Sequence, residues 1–387
     1  MDVQAILSLL PENLLSELAI ETKVNRYSKK LQGEIIFKLL IHCILSYKDN
    51  SLRVMASSYE SVIFSLLNAG SYDKGSIHYS SISDRLSNIK ADYFERLYYS
   101  CVSIYGKEIG EPSSNLTRFD STIVTLSSKL LKVGYRLKGD AANIGQLKFT
   151  IGLSEIPTAA YLFTEQKYTS ENVALKEAVL LHQPAKANAI RIFDRGISSR
   201  KTHDKLIKDK IPFVSRINHN SKYELIGKNK LEKVKTPTLN IHTDEWVYLF
   251  SEYGRSKYPV RCIRATQNES GEEILFVTSL SDLSAVEITR LYKMRWDIEV
   301  FFKFLKQELN FNHLINRTEN GIRVMLYATL IASILVLVYK KKNKLSGYKI
   351  MKLRFVLDLE RIIMKDIVIM CDGSPDLFEK HFGKPPP

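Results

Sequence analysis

Cysteine is scarce in this chain: Cys43, Cys101, Cys262 and Cys371 are the only four in 387 residues, and no two form a CxxC pair. The eight histidines are scattered too, without an HxxxH spacing. Neither a zinc site nor a disulfide-stapled secreted scaffold is therefore expected; reduced thiols in a cytoplasmic protein are. The N-terminal stretch MDVQAILSLLPENLL is acidic and runs into Pro11, which does not suit a secretory signal. Internal repeats and low-complexity tracts are absent. Long apolar runs are nearly so: only Val324–Tyr339 (VMLYATLIASILVLVY) stays uncharged, for 16 residues. A helix of that length spans about 24 Å, short of the roughly 30 Å hydrocarbon core. Although the following KKKNK would suit a membrane flank, a helix buried on all sides in a protein core is the expected outcome, with no membrane partner.

What is present is ordinary globular composition, 45% hydrophobic and 25% charged, with an unusual charge balance. Lys and Arg total 56 against 42 Asp and Glu, a formal net of +14. Residues 1–110 carry 12 of each sign, so the whole excess lies in residues 111–387. A basic region of this kind is the electrostatic footprint of a polyanion partner, nucleic acid first among them.

Residues 1–110 read as an all-α N-terminal domain. Ile35–Leu45 and Leu52–Leu67 are apolar at helical spacing. HYSSISDRLSNI opens on a serine cluster suited to an N-cap and places Ile82, Leu86 and Ile89 on one stripe. With the helix from Leu52 it suggests a helix-turn-helix offering Ser80, Ser81, Ser83 and Arg85 to DNA, or else a plain helical bundle. After GEPSS (110–114) the texture becomes strand-like, and residues 111–218 read as three strands, a helix, a strand, a helix and a strand. That is the opening order of an RNase H-like α/β core. Residues 219–282 read as a β-rich insertion, 283–345 as core helices, and 346–387 as a helical segment with a loose tail.

Three carboxylates stand out by their surroundings. Asp120, in RFDSTIV, lies in mid-strand, where an unpaired buried carboxylate is costly. Asp194, in IRIFDRG, ends a strand, at the edge where open α/β sheets place active sites. Glu299 belongs to LYKMRWDIEVFFKFLKQEL (291–309), read as one helix. Its apolar face runs through Leu291, Met294, Ile298, Phe301, Phe302, Leu305 and Leu309, beside a shoulder of Tyr292, Arg295, Glu299, Lys303 and Lys306. An Arg295–Glu299 i,i+4 salt bridge is one reading of that shoulder. The other is a third ligand for two-metal phosphoryl transfer, chemistry that needs carboxylates to hold hard cations about 4 Å apart.

Tyr292, Arg295, Glu299 and Lys306 match the spacing Y-x₂-R-x₃-E-x₆-K. With FDST at the first aspartate, FDRG at the second, and MRWDIEVFFKFLKQ, the chain over roughly residues 75–340 resembles DDE transposases of the IS-four insertion-sequence family. That resemblance implies Asp120, Asp194 and Glu299 as catalytic, metal-binding residues for two Mg²⁺ or Mn²⁺ ions. It implies DNA contacts from Tyr292, Arg295 and Lys306, with Lys303 beside them on the shoulder. The expected activity is cleavage at terminal inverted repeats and transfer into target DNA, by a homodimer on the bacterial nucleoid. The alternative is a related nuclease, or an inactive DNA-binding relative that no longer transposes. Some members stack a flipped base on a tryptophan of the insertion, where Trp246 is the candidate here; Trp296 is expected to pack at the core edge.

Overall fold

The structure is a computed structural model and describes residues 1–68, 75–110, 115–126, 134–136, 145–184, 188–230, 235–252 and 254–383. The linker expected at 111–114 and the terminal 384–387 lie outside them. The chain divides into two units, residues 1–110 with 303–387, and residues 111–302.

The first unit is helical. Its N-terminal helices are α1 (Val3–Leu7), α2 (Leu14–Thr22), α3 (Gly33–Ser46), α4 (Leu52–Tyr59), α5 (Val62–Leu67), α6 (Tyr79–Asn88) and α7 (Ala91–Ile109). The run expected as one helix from Leu52 breaks because Ser61 caps a new one, accepting from the Phe64 N–H. The uncharged run lies within a helix at Glu319–Lys342 that packs beside α7, α3, α6 and α1, and 94% of its most apolar window is buried within the protein. It is a core helix, each large side chain contributing about 1.5–3 kcal/mol by leaving water. Asn316 and Asn320 tie its start to α6: their amides donate to the Ser83 and Leu86 carbonyls.

Two details of α6 depart from expectation. His78, not a serine, caps it. Arg85 turns inward and donates to the carbonyls of Val24 and Leu31, at 2.7 and 2.8 Å, so it is spent on backbone acceptors and is not offered to DNA. A second helix, α5, and an undescribed segment also separate α4 from α6.

The second unit is built on one mixed sheet. Its strands are β1 (Leu116–Leu126), β2 (Tyr135–Arg136), β3 (Gly145–Leu153), β4 (Pro157–Phe163), β5 (Ile190–Ile192), β6 (Phe213–Ile217), β7 (Tyr223–Lys228), β8 (Leu239–Ser251), β9 (Gly254–Arg255), β10 (Val260–Gln267) and β11 (Glu273–Thr278). The core order is β4-β3-β1-β5-β6, antiparallel through β4, β3 and β1, then parallel through β1, β5 and β6. Helices α8 (Glu171–Leu181) and α9 (Arg200–Lys208) supply the crossovers. This is the expected RNase H-like α/β core.

The β-rich insertion is no separate layer. Its strands continue the same sheet in the order β11-β10-β8-β7, with β11 paired antiparallel to β6. An unpaired β6 edge would expose a row of free N–H and C=O groups, and β11 covers it. Alternation along the strands separates two faces. Phe119, Phe193 and Phe213 join Leu175, Val179 and Leu206 on one side; Leu116, Ile192, Val214 and Phe276 meet Ala285, Ile288 and Tyr292 on the other.

Candidate active site

The register of the parallel pair places the two aspartates. Arg118 on β1 is aligned with Ile192 on β5, so Asp120 and Asp194 each lie two residues beyond a matched position. Side chains alternate, so both point to the face that holds Tyr292. Strand β5 stops at Ile192 while β1 runs on, which opens a crevice at the carboxyl end of β5. A separation of 74 residues in the chain is closed by one crossover.

Each aspartate is anchored by a backbone donor. Asp120 Oδ1 accepts from the Ser121 N–H, and Asp194 Oδ1 from the Gly196 N–H, both at 2.8 Å. Burial pushes the Asp120 carboxyl up to about 7; Asp194 and Glu299 raise it further, while the Ser121 bond and Arg295 pull the other way. The three carboxylates therefore feel one another's charge.

Glu299 reaches the site on a broken helix. Helix α10 (Ala285–Lys293) starts with a capping box, Ser284 and Glu287 bonding each other's backbone N–H groups. It stops before Arg295, and α11 (Trp296–Glu308) begins. Between them Asp297 and Ile298 bond three residues back, to the carbonyls of Met294 and Arg295, rather than four. The single helix expected over Leu291–Leu309 is thus two. Tyr292 ends one, Arg295 sits in the break, and Glu299 lies in the first turn of the next, as does Asp297. Lys303 and Lys306 follow on α11, in the part belonging to the first unit.

Glu299 Oε1 accepts from Arg295 Nη2 at 2.5 Å. Among the described residues, no group of three or more His, Cys, Asp or Glu side chains is arranged to hold a metal ion. The Arg295 pairing accounts for this, since it engages the third carboxylate. Arg295 Nε is buried with no acceptor, a donor left over for an anion. Its guanidinium lies over the Tyr292 ring at 5.8 Å; Arg216 reaches the same ring at 5.9 Å, and Phe276 packs edge-on at 5.2 Å.

Beside this group is a cavity of about 830 Å³, with Leu239, Ile274 and Phe276 among its apolar walls and Arg216, Arg290 and Arg295 among its cations. Trp296 lines it and is 61% exposed, so it does not pack at the core edge as expected. Trp246 is half-buried in the middle of β8, paired with Arg261 and Gly227, and is not among the cavity's residues.

Two arginines escaped the sequence reading. Arg216 on β6 contributes to the cavity and to the Tyr292 ring. Arg118, two residues before Asp120, is buried at 5% exposure and donates to the carbonyls of Met294 and Ser154. Their signal was present: a charged residue in an otherwise apolar strand needs a partner.

Comparison with known proteins places these residues together. The transposase DDE domain family matches residues 119–335, a span that includes Asp120, Asp194, Tyr292, Arg295, Glu299, Lys303 and Lys306. A probable transposase for insertion sequence element IS5377 from Geobacillus stearothermophilus is 25% identical over 278 residues, 67% of this chain and 72% of that protein. A putative transposase y4zB from Sinorhizobium fredii is 28% identical over 52% of this chain and 53% of its own length. A putative transposase for insertion sequence element IS4SA from Synechocystis is 27% identical, covering 59% and 62%. With more than half of its length matched by that domain, the chain belongs to the DDE transposase family of insertion sequences.

Proposed function

We propose that this transposase binds the terminal inverted repeats of its own insertion sequence and cuts and rejoins DNA strands at Asp120, Asp194 and Glu299. The observation that carries the reading is the raised proton affinity of Asp120, buried within reach of two further carboxylates. Like charges gathered in this way favour a cation among them. The donors are all oxygen, which suits Mg²⁺ or Mn²⁺, two ions per site. Asp120 and Asp194 would hold them, and Glu299 would join once it releases Arg295. Bound there, such ions would activate a water or 3′-hydroxyl and stabilise the leaving oxygen.

The chain's own side chains bind and orient the DNA. Arg295, with its unused Nε, takes a phosphate oxygen, and Tyr292, braced by Arg216 and Phe276, fixes the guanidinium that does so. Lys303 and Lys306 extend the phosphate contacts along α11. The basic excess supports DNA, both element ends and target, as the partner. The acting species is a homodimer holding two ends, on the nucleoid in the cytoplasm.

The test uses a duplex carrying the terminal sequence of the element that encodes the chain. Asp120→Asn should lower Mg²⁺-dependent strand cleavage by about 10²-fold or more while end binding stays within about threefold, because the carboxylate acts on the transition state. Full cleavage by the variant would overturn the assignment. Cleavage by the wild type without joining of the freed 3′-hydroxyl would point to the related nuclease instead.

A further inference from the structure

Arg118 has an unusual set of partners for a strand residue. Its Nε donates to the Met294 carbonyl at 2.8 Å, its Nη1 to the Ser154 carbonyl at 2.9 Å, and its Nη2 pairs with Asp297 at 3.0 Å. Met294 lies 176 residues further along the chain. In an unbroken helix the Met294 carbonyl would accept from the Ile298 N–H, four residues on. Here Ile298 bonds Arg295 instead, and Arg118 occupies the Met294 oxygen. A side chain inserted into the helical ladder is one of the recognised causes of a helix break. Ser154 begins the turn after β3, so a single guanidinium joins three segments. Arg118 also stands on the same strand and the same face as Asp120, two residues away.

We propose that Arg118 is a positioning residue for the reaction: by gripping the break between α10 and α11 it holds Arg295 and Glu299 in register with the strand that carries Asp120. The inference rests on the assignment of cleavage to Asp120, Asp194 and Glu299. Arg118 itself touches neither DNA nor the reacting atoms. Its planar fork serves three acceptors at once, which a lysine's single ammonium on a flexible stem does not reproduce. A displacement of about 1 Å at a reacting group can cost on the order of 10²-fold in rate. The break is therefore a built joint whose setting is controlled from β1.

The full chain is tested as Arg118→Gln, Arg118→Lys and Asp297→Asn, with Asp120→Asn as control, on the element-end duplex with Mg²⁺. At saturating DNA, single-turnover cleavage by folded protein should fall about 10- to 100-fold in Arg118→Gln, less in Arg118→Lys, and least in Asp297→Asn, whose side chain is mostly exposed. End affinity should change by no more than about threefold. Amide hydrogen exchange across residues 294–298 should quicken at least tenfold in Arg118→Gln, with β3 and β8 unchanged. Cleavage at the wild-type rate, or exchange that quickens equally across the whole sheet, would overturn the proposal. Should Arg118→Gln not fold, Asp297→Asn decides: it must show both a slower rate and faster exchange at the break. If Asp120→Asn cleaves normally the active-site assignment has failed; if it is dead while the Arg118 variants match wild type, only the positioning role has failed.

Discussion

Arg295 and Glu299 hold each other across one turn, Nη2 to Oε1 at 2.5 Å, where α10 gives way to α11. Each is wanted elsewhere: the carboxylate for a cation, the guanidinium for a phosphate. The pair keeps both charges compensated in the DNA-free protein. Its presence also sets a cost on metal binding, because the ion must compete with the arginine for Glu299.

Removing that competitor should therefore tighten metal binding without DNA. Arg295→Gln is expected to bind Mn²⁺ about 3- to 10-fold more tightly than wild type, read from the free Mn²⁺ signal by electron paramagnetic resonance, while losing affinity for the end duplex. Adding Glu299→Gln should abolish the gain. Unchanged or weaker Mn²⁺ binding in Arg295→Gln would mean that the arginine does not restrain the carboxylate.

Lys306 is expected to carry one phosphate contact. Lys306→Ala should weaken end binding and reduce the slope of log K against log salt by about one unit. A fluorescence titration of the end duplex across several salt concentrations measures this directly, and an unaltered slope would remove Lys306 from the contact set.

Arg261 and Asp244 form a buried pair, each 4% exposed, with Nη2 to Oδ2 at 2.6 Å and Nε to Oδ1 at 2.8 Å. Arg261 also donates to the Leu280 and Leu283 carbonyls in the segment leading into α10. Truncation leaves a buried carboxylate partly uncompensated, so Arg261→Ala should cost about 3–5 kcal/mol in urea unfolding. Replacing both, as Arg261→Met with Asp244→Leu, should recover a large share of that loss. A single variant within 1 kcal/mol of wild type would contradict the argument.

His203 is a second stability device, and its sign is opposite to that of a salt-bridged histidine. The ring is 1% exposed, near-parallel to Phe193 and Phe213, and neither nitrogen has a partner. Burial, helped by Arg200, pushes its pKa down from 6.5 to about 3. Between those values the unfolded chain takes up a proton that the folded chain refuses. The contribution is complete above about pH 6.5 and is lost as pH falls toward 3, at about 1.4 kcal/mol per unit. From pH 7 to pH 5, His203→Phe should therefore lose about 2 kcal/mol less stability than wild type, measured from paired urea curves. Identical pH losses in the two proteins would refute it.

Much of the site could be read from the sequence because its chemistry is local in type. A carboxylate in mid-strand, another where a strand ends, and a Glu among basic residues at helical spacing announce themselves by context. The core strands and the buried apolar helix were legible for the same reason, since period and length mark them. What was not legible depends on distant partners. The break after Lys293 follows from Arg118, and nothing in LYKMRWDIEVFF announces it. Arg85 looks like a DNA-facing residue until Val24 and Leu31 supply its acceptors. Likewise, strand patterns at 219–282 reveal strands, but not that β11 would return to pair with β6.

That return has a consequence for the chain as it is made. After β6 the polypeptide travels to the far edge of the sheet at β7 and comes back strand by strand, so β11 arrives last and seals β6. Synthesis runs from the N-terminus, and β6 thus waits with one side bare until the 55 residues between Ile217 and Glu273 have emerged. Along FVSRI the only charge is Arg216, which stands guard at an edge otherwise suited to pairing with a stranger. The residue that protects the nascent strand ends up over the ring of Tyr292.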